Sequence, residues 1–428
     1  MGGTQSRQPS RPGRSAISRH RALAVAAGVA TIALAVAACS SSPASSTSSA
    51  GTTNGTTTSG TPVNVGMVYE KTGIYAPYAQ EYQQGFTIGL SYATKGTDEV
   101  NGQKVNVTWD DDADSATTAV TDFKSLVGAG DKIIGGTVDS GIATQLAPLA
   151  AQNQVLYISG PAAADQLTGI NKYTFRSGRQ TYQDVEAAKS FVASKGAGQN
   201  IVVLAQDYAF GESYVTDAQK VFGAIGDKVT PVLVPLTTTN FTPTALQVKA
   251  DKPSLVFLAW AGTTGAALAQ ALDQQGVFSN TTVVTGLANI ATYPFYGAAG
   301  AKFDYLSLYF YQASDNPAND YLISHMKSDY NSVPDLFAPD GFVAAQMIVH
   351  AIQAGGATNV NAGINALAGW TFLAPKGEQT IRASDHAMLQ PMYQAKLTEV
   401  SSTDFTPSLV ATLPNADTAP AVSANFGS

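Results

Sequence analysis

"KIIGGTVDSGIATQLAPLAAQNQVLYISG", residues Lys132–Gly160, decides the fold. Ile133-Ile134 is a short apolar run, and Val155 to Ile158 is another. Each suits a strand buried on both faces. Between them "SGIATQLAPLAAQ" has the spacing of a helix. Strand, helix and strand in so short a stretch form a βαβ unit and imply a parallel sheet.

The same alternation extends in both directions. Upstream, "VNVGMVY" (Val63–Tyr69) reads as a strand. "YAQEYQQGFTIGLSYA" follows it, with Tyr78, Tyr82, Phe86, Gly89 and Ala93 near helical spacing. "QKVNVTW" and "ATTAVTDFKSLVGAG" repeat the pair. Downstream, a second series opens near Asp184. "NIVVLAQD", "KVTPVLVPL", "PSLVFLAW" and "TTVVTGL" are its strands, separated by helical runs. After "YLSLYFY" come two helices, "PANDYLISHMKSDY" and "PDGFVAAQMIVHAIQAGG", and a late strand, "MYQAKLTEV". Two α/β series in tandem call for two lobes, and the tail is expected to return to the first before crossing once more.

The beginning of the chain has another character. Arg7, Arg11, Arg14, Arg19 and Arg21 precede an apolar run, Ala22–Ala38, with no acidic residue among them. A basic stretch, an apolar stretch and small residues at its end describe an export signal. The run falls short of the roughly 20 residues that a membrane span needs. Val36-Ala37-Ala38-Cys39 resembles a bacterial lipobox, in which the cysteine takes a diacylglyceryl group and becomes the first residue after cleavage. Cys39 is the single cysteine of the 428 residues, so no internal disulfide is available. It is expected to be a lipid attachment site, anchoring the exported protein on the outer face of the cytoplasmic membrane. Each buried CH₂ of an acyl chain contributes about 0.8 kcal/mol, and stable anchoring takes more than one chain. Residues 39–62, almost entirely Ser, Thr, Gly and Ala, read as a disordered linker.

The remaining part, about 365 residues, is long enough for two domains. Charged residues are 13% and apolar ones 44%, and the formal net charge is −7. A nucleic-acid partner is excluded by that acidic balance. No heptads suggest a partner helix, so a monomer is expected.

Motifs for catalysis or metal binding fail on inspection. Asp110, Asp112 and Asp114 match the opening ligands of an EF-hand, but Ser115 stands where its glycine belongs and Thr121 where its glutamate belongs. Asp114 or Ser115 is better read as a helix cap. His20, His325, His350 and His386 have no partner at metal spacing. G-x-S-x-G, a P-loop and a G-x-G-x-x-G after a strand are all missing. No enzyme, metal or cofactor is implied. Two features remain. Ser140 and Gly141 lie where a strand turns into a helix, a place suited to an anion or to an ordinary cap. Tyr69, Tyr75, Tyr78, Phe210 and Trp260 follow strand ends, where open α/β sheets bind ligands.

The ordered set "VGMVYEKTGIYAPYAQEYQQGFTIGLSYA", "DDDADSATTAV", "KIIGGTVDSGIATQLAPLAAQNQVLYISGPAAADQLT", "KYTFRSG", "DYAFGESY" and "IRASDHAMLQPMYQAKL" resembles the leucine/isoleucine/valine-binding type of solute-binding lipoprotein from Val63 to about Leu397. The resemblance implies a type I periplasmic-binding-protein fold: two parallel-sheet α/β lobes joined by three crossovers, near Arg179, Phe310 and Phe372, with a ligand cleft between them. Lobe one would hold residues 63–180 and 312–371, lobe two 181–311 and 372–414, and 415–428 would be a flexible tail. It further implies capture of a small solute, a branched-chain amino acid or a related carboxylate or aromatic compound, for delivery to an ABC permease. The alternative is a sensor of amides or amino acids with no transport role.

Carried over residue by residue, the family's ligand contacts match Tyr78, Ser140, Gly141, the turn containing Ala162 and Ala163, and Phe210. Tyr69 and Trp260 join them as cleft aromatics. The family's serine cluster is reduced to Ser140, and its turn threonine is Ala163. The glutamate for the ligand ammonium falls near Leu287 or Ala288, and Ala113 and Asp139 stand at its disulfide positions. Asp139, Asp207 or Glu212 could replace that acid.

Overall fold

The computed structural model describes residues 60–426, apart from 194, 287, 402, 403, 424 and 425. The export signal, Cys39 and the linker up to residue 59 lie outside the described residues.

The first sheet is built from β1 (Val63–Tyr69), β2 (Glu99–Val100), β3 (Gln103–Asp111), β4 (Ile133–Gly135), β5 (Leu156–Ser159) and β6 (Thr174–Arg176). Its helices are α1 (Ala76–Thr94), α2 (Ala116–Ala129) and α3 (Ser140–Asn153). The strand order is β2-β3-β1-β4-β5-β6, parallel except for the β2–β3 hairpin. The chain then enters lobe two through α4 (Thr181–Ala188) and α5 (Ser190–Ala193). There β7 (Asn200–Gln206), α6 (Ala209–Val221), β8 (Lys228–Val234), α7 (Thr242–Ala250), β9 (Leu255–Ala259), α8 (Gly265–Gln274), β10 (Thr282–Gly286), α9 (Tyr293–Tyr296) and β11 (Asp304–Ser307) alternate.

From β11 the chain returns to lobe one as α10 (Pro317–Tyr330), α11 (Ala338–Gly355) and α12 (Val360–Leu367). It crosses a third time through a small antiparallel sheet of β12 (Thr371–Ala374), β13 (Gly377–Ile381) and β14 (Met388–Leu389). β15 (Met392–Ser401) and β16 (Asp404–Leu413) complete the second sheet, in the order β16-β15-β11-β10-β9-β7-β8. This is the type I periplasmic-binding-protein fold, with three connections between two lobes.

Local chemistry explains the elements. β5 and β9 are buried at every position, as strands covered by helices on both faces must be. Ser115 caps α2 by accepting the Thr118 N–H at 3.3 Å. Asn316 caps α10 through the N–H groups of Ala318 and Asn319, with Pro317 preset for the first turn. The return to lobe one is fixed by glycines. A Cβ on Gly85 would sit 1.8 Å from the Ala338 carbonyl, and one on Gly341 1.9 Å from the Tyr82 carbonyl. Only glycine lets α1 and α11 approach so closely.

The final stretch is tied down, correcting the expected flexible tail as far as residue 423. Arg382 donates to the carbonyls of Pro420 at 2.7 Å and Ala421 at 3.3 Å, the Ser423 N–H donates to Asp385 at 3.0 Å, and Thr418 is fully buried.

Candidate ligand-binding cleft

A cavity of about 510 Å³ lies between the lobes. Lobe one contributes Tyr75 and Tyr78 from the start of α1, Val138, Pro161, Ala163, Leu336 and Phe337. Lobe two contributes the turns after its parallel strands: Tyr208 and Phe210 beyond β7, Trp260 to Thr263 and Gly265 to Ala267 beyond β9, and Ala288, Thr292, Phe295 and Tyr296 beyond β10. The carboxyl ends of strands position the site, as expected of open α/β sheets.

The aromatic wall is ordered by its own contacts. Tyr75 stacks near Tyr78 and Tyr208, with ring centres 6.4 and 6.5 Å apart. Tyr78 meets Phe337 edge-on at 4.8 Å, and Phe210 meets Tyr214 in the same way. The Trp260 indole stands edge-on to Phe241 at 5.4 Å, and its Nε1–H donates to Thr264 Oγ1 at 2.9 Å. These contacts fix the orientation of each ring before any ligand arrives.

The charged lining residues are Arg179 and Asp184, and they are paired: Arg179 Nε donates to Asp184 Oδ2 at 3.0 Å. Both side chains are over nine-tenths buried. Arg179 Nη1 also donates to the Pro161 carbonyl, and the Tyr214 hydroxyl donates to the same Asp184 oxygen. The Asp184 carboxylate beside Arg179 holds that guanidinium above its ordinary pKa, outweighing desolvation, the largest single influence.

Of the residues singled out in the sequence, Tyr75, Tyr78, Ala163, Phe210 and Trp260 line the cavity, whereas Tyr69, Ser140, Gly141 and Ala162 do not. Tyr69 is buried edge-on against Trp109 at 4.8 Å, and its hydroxyl accepts from Gln83. Ala162 is fully buried, its carbonyl accepting from Arg176 Nη2 at 2.8 Å. Ser140 is not the cap of α3. Its hydroxyl accepts the N–H groups of Ala163 and Ala164 at 3.1 and 3.2 Å, which pins the Pro161–Ala164 turn from behind. Gly141 follows it in the first turn of α3, where its carbonyl accepts from Thr144 and Gln145.

The anion expected at this helix end has no place there, because carboxyl groups of the protein already occupy it. Asp139 caps α3 by accepting the Ile142 N–H at 2.9 Å. Glu70, from the end of β1, accepts the N–H groups of Val138 at 2.9 Å and Asp139 at 2.7 Å and the Thr137 hydroxyl. Burial, and then the Asp112 carboxylate, push the Glu70 pKa up to about 8.

Glu70, Asp112 and Asp114 offer oxygens within 4.8 Å of one another. They are occupied by protein donors: Asp112 accepts from Thr137 Oγ1 and the Asp114 N–H, and Asp114 from the Ile74 N–H. The group is a hydrogen-bonded junction of the β1, β3 and β4 turns.

The three acids considered as partners for an ammonium stay outside the cavity. Asp139 is the α3 cap, and Asp207 and Glu212 are exposed. Ala288 does line the cavity, while Leu287 lies outside the described residues. Tyr208, Phe295, Tyr296 and Phe337 are wall residues that the sequence reading missed. The aromatic run "YPFY" after β10 was the available signal for Phe295 and Tyr296, and Phe337 in "DLFAPDG" was the signal at the foot of α11.

The profile of the periplasmic binding proteins matches residues 62–403. The chain belongs to that family. Among curated relatives, a Leu/Ile/Val-binding protein, BraC3, of Rhizobium johnstonii is 26% identical over 235 residues, 52% of this chain and 61% of its own length. A Leu/Ile/Val-binding protein homologue of Brucella melitensis is 23% identical over 71% of this chain and 82% of its own. Among solved structures, an ABC-type branched-chain amino acid transporter from Rhodopseudomonas palustris is 30% identical, with a TM-score of 0.70, over 85% of this chain and 100% of its own. An R. palustris solute-binding protein in complex with 4-hydroxybenzoate shares the fold, with a TM-score of 0.75 at 20% identity, over 83% of this chain and 97% of its own. Members of this family are non-enzymatic, extracytoplasmic proteins that bind small molecules and work with ABC permeases.

Proposed function

We propose that this protein is an exported lipoprotein, anchored through Cys39, that captures a small and largely apolar solute and delivers it to an ABC import permease. The preferred solute is a small aromatic or branched-chain compound without an ammonium group. The observation that carries this reading is the cavity itself. Aromatic rings from both lobes wall it, and the one carboxylate among its described lining residues, Asp184, is paired with Arg179 through Oδ2. A buried ammonium with no counter-charge would be costly, whereas a flat ring gains from stacking between aromatic faces.

Calorimetry with matched solutes tests the reading: benzoate, 4-hydroxybenzoate, leucine and 4-methylpentanoate, which is leucine's skeleton without its amine. The amine-free acids should bind more than tenfold tighter than leucine, a difference of about 1.4 kcal/mol. Leucine binding tenfold tighter than 4-methylpentanoate would return the protein to the branched-chain amino-acid receptors.

The anchor has its own test. Attachment is assigned to Cys39 on the lipobox-like Val36-Ala37-Ala38-Cys39. Changing Cys39→Ala should abolish acylation and alter fractionation; a variant that matures and fractionates like the wild type would remove the anchor from this reading.

A further inference from the structure

Resting on the solute-binding reading, we infer that closure of the cleft takes up a proton, through a latch in which Glu81 and Asp335 of lobe one grip Asn289 and Ile290 of lobe two. The Asn289 side-chain amide donates to Glu81 Oε1, and the Ile290 N–H donates to Asp335 Oδ2 at 2.7 Å. The remaining oxygens are held on their own lobe, Glu81 Oε2 by the Phe337 N–H at 3.1 Å and Asp335 Oδ1 by the Leu336 N–H at 2.9 Å. The donors across the cleft are amide groups, and the acceptors are two neighbouring carboxyls.

Among the described residues, neither acid makes an ion pair. The ionisable groups facing them are one another and the tyrosines Tyr78, Tyr293 and Tyr309, with no cation. Burial pushes both acids up, Asp335 to about 6, and Asp335 raises Glu81 further.

Hinge opening parts these contacts and returns both carboxyls to water, where they ionise near pH 4. Closing partly buries them side by side with no compensating charge, so one proton is bound. The carboxyl pKa is higher in the closed form than in the open form. The closed form is therefore favoured at low pH and loses ground as pH rises through the closed-form pKa. One linked proton can move the closed-to-open ratio by up to about tenfold per pH unit within that window. The consequence for the solute is tighter capture in acid and easier release toward neutrality.

The test uses the full chain with no solute present. Cys39→Ser removes the native thiol, and dyes on Lys124→Cys in α2 and Gln247→Cys in α7, both exposed sites on opposite lobes, report the lobe separation by single-molecule energy transfer. Between pH 7.5 and 5.5 the closed-to-open ratio should rise several-fold. Glu81→Gln and Asp335→Asn, which keep the shapes and remove the charges, should each flatten that rise. A flat profile for the unsubstituted latch, or a wild-type slope in both variants, would overturn the proposal. Because no solute enters the measurement, its failure leaves the solute-binding reading standing. Failure of every solute in the calorimetric panel likewise leaves the latch untouched.

Discussion

The hydroxyl of Tyr78, on the first helix of lobe one, accepts a hydrogen bond at 3.2 Å from the Gly262 N–H of lobe two. One atom of a cleft-lining side chain thus joins the lobes directly. Removing it as Tyr78→Phe leaves the ring against Phe337 and takes away only the bridge. A net hydrogen bond contributes about 0.5–1.5 kcal/mol, so the closed-to-open ratio should fall by about two- to twelvefold. Energy transfer between dyes on the two lobes reads this directly, and an unchanged ratio would show that the bridge does not hold the lobes together.

Glu70 makes a prediction about pH and stability. Its carboxyl titrates at about 8 in the folded protein and near 4.3 in an unfolded chain. The folded state therefore binds a proton more tightly than the unfolded one. Stability should be highest below about pH 4.3 as far as this group is concerned, and should fall as pH rises through 8. Asp112, pushed up to about 7 chiefly by burial, acts in the same direction. Thermal melts from pH 5 to 8 should show a declining Tm, and Glu70→Gln should flatten part of the decline. A Tm profile identical to wild type would mean that Glu70 is ionised in the folded protein throughout the range.

These two sites also show what a sequence can and cannot display. β1 and α10 have the bounds that their apolar spacing and the Asn316-Pro317 pair indicate, because those causes are local. The role of Ser140 is not local. The helix end it adjoins is filled by Glu70, 68 positions before Val138, and no pattern around Ser140 reports that. Tyr69 ends a strand of a sheet covered on both faces, so an aromatic there can turn to the core as readily as to the cleft. Trp260 and Phe210 sit just beyond β9 and β7, where topology alone directs them to the cleft. Phe295 and Phe337 reach it from separate lobes, and their convergence depends on the chain's return through α10.

That return predicts a packing defect. Gly85→Ala would drive a methyl against the Ala338 carbonyl, a backbone atom that cannot rotate away. Overpacking of this kind costs about 1–3 kcal/mol or more. Denaturant unfolding should show a loss of that size, and the neighbouring Gln84→Ala, on the partly exposed side of α1, should show little. Equal stabilities for Gly85→Ala and wild type would mean that the two helices can move apart without penalty.

The Arg179–Asp184 pair yields the last prediction, because it bears on stability and on solute choice together. Asp184→Ala leaves a buried guanidinium without its partner, which in comparable sites costs about 3–5 kcal/mol. Replacing both residues, Arg179→Met with Asp184→Leu, removes the unpaired charge and should recover most of that loss in urea unfolding. Asp184→Asn separates the two roles. It keeps the shape and an acceptor for Arg179 but discards the charge, so affinity for 4-methylpentanoate or benzoate should change little. If instead Asp184→Asn abolished the binding of leucine while sparing stability, Asp184 would be the acid that receives an ammonium, and the preference for amine-free acids would fall. The pair's geometry frames that outcome: Oδ2 of Asp184 already accepts from both Arg179 and Tyr214, so Oδ1 is the one oxygen of Asp184 an ammonium would have to use.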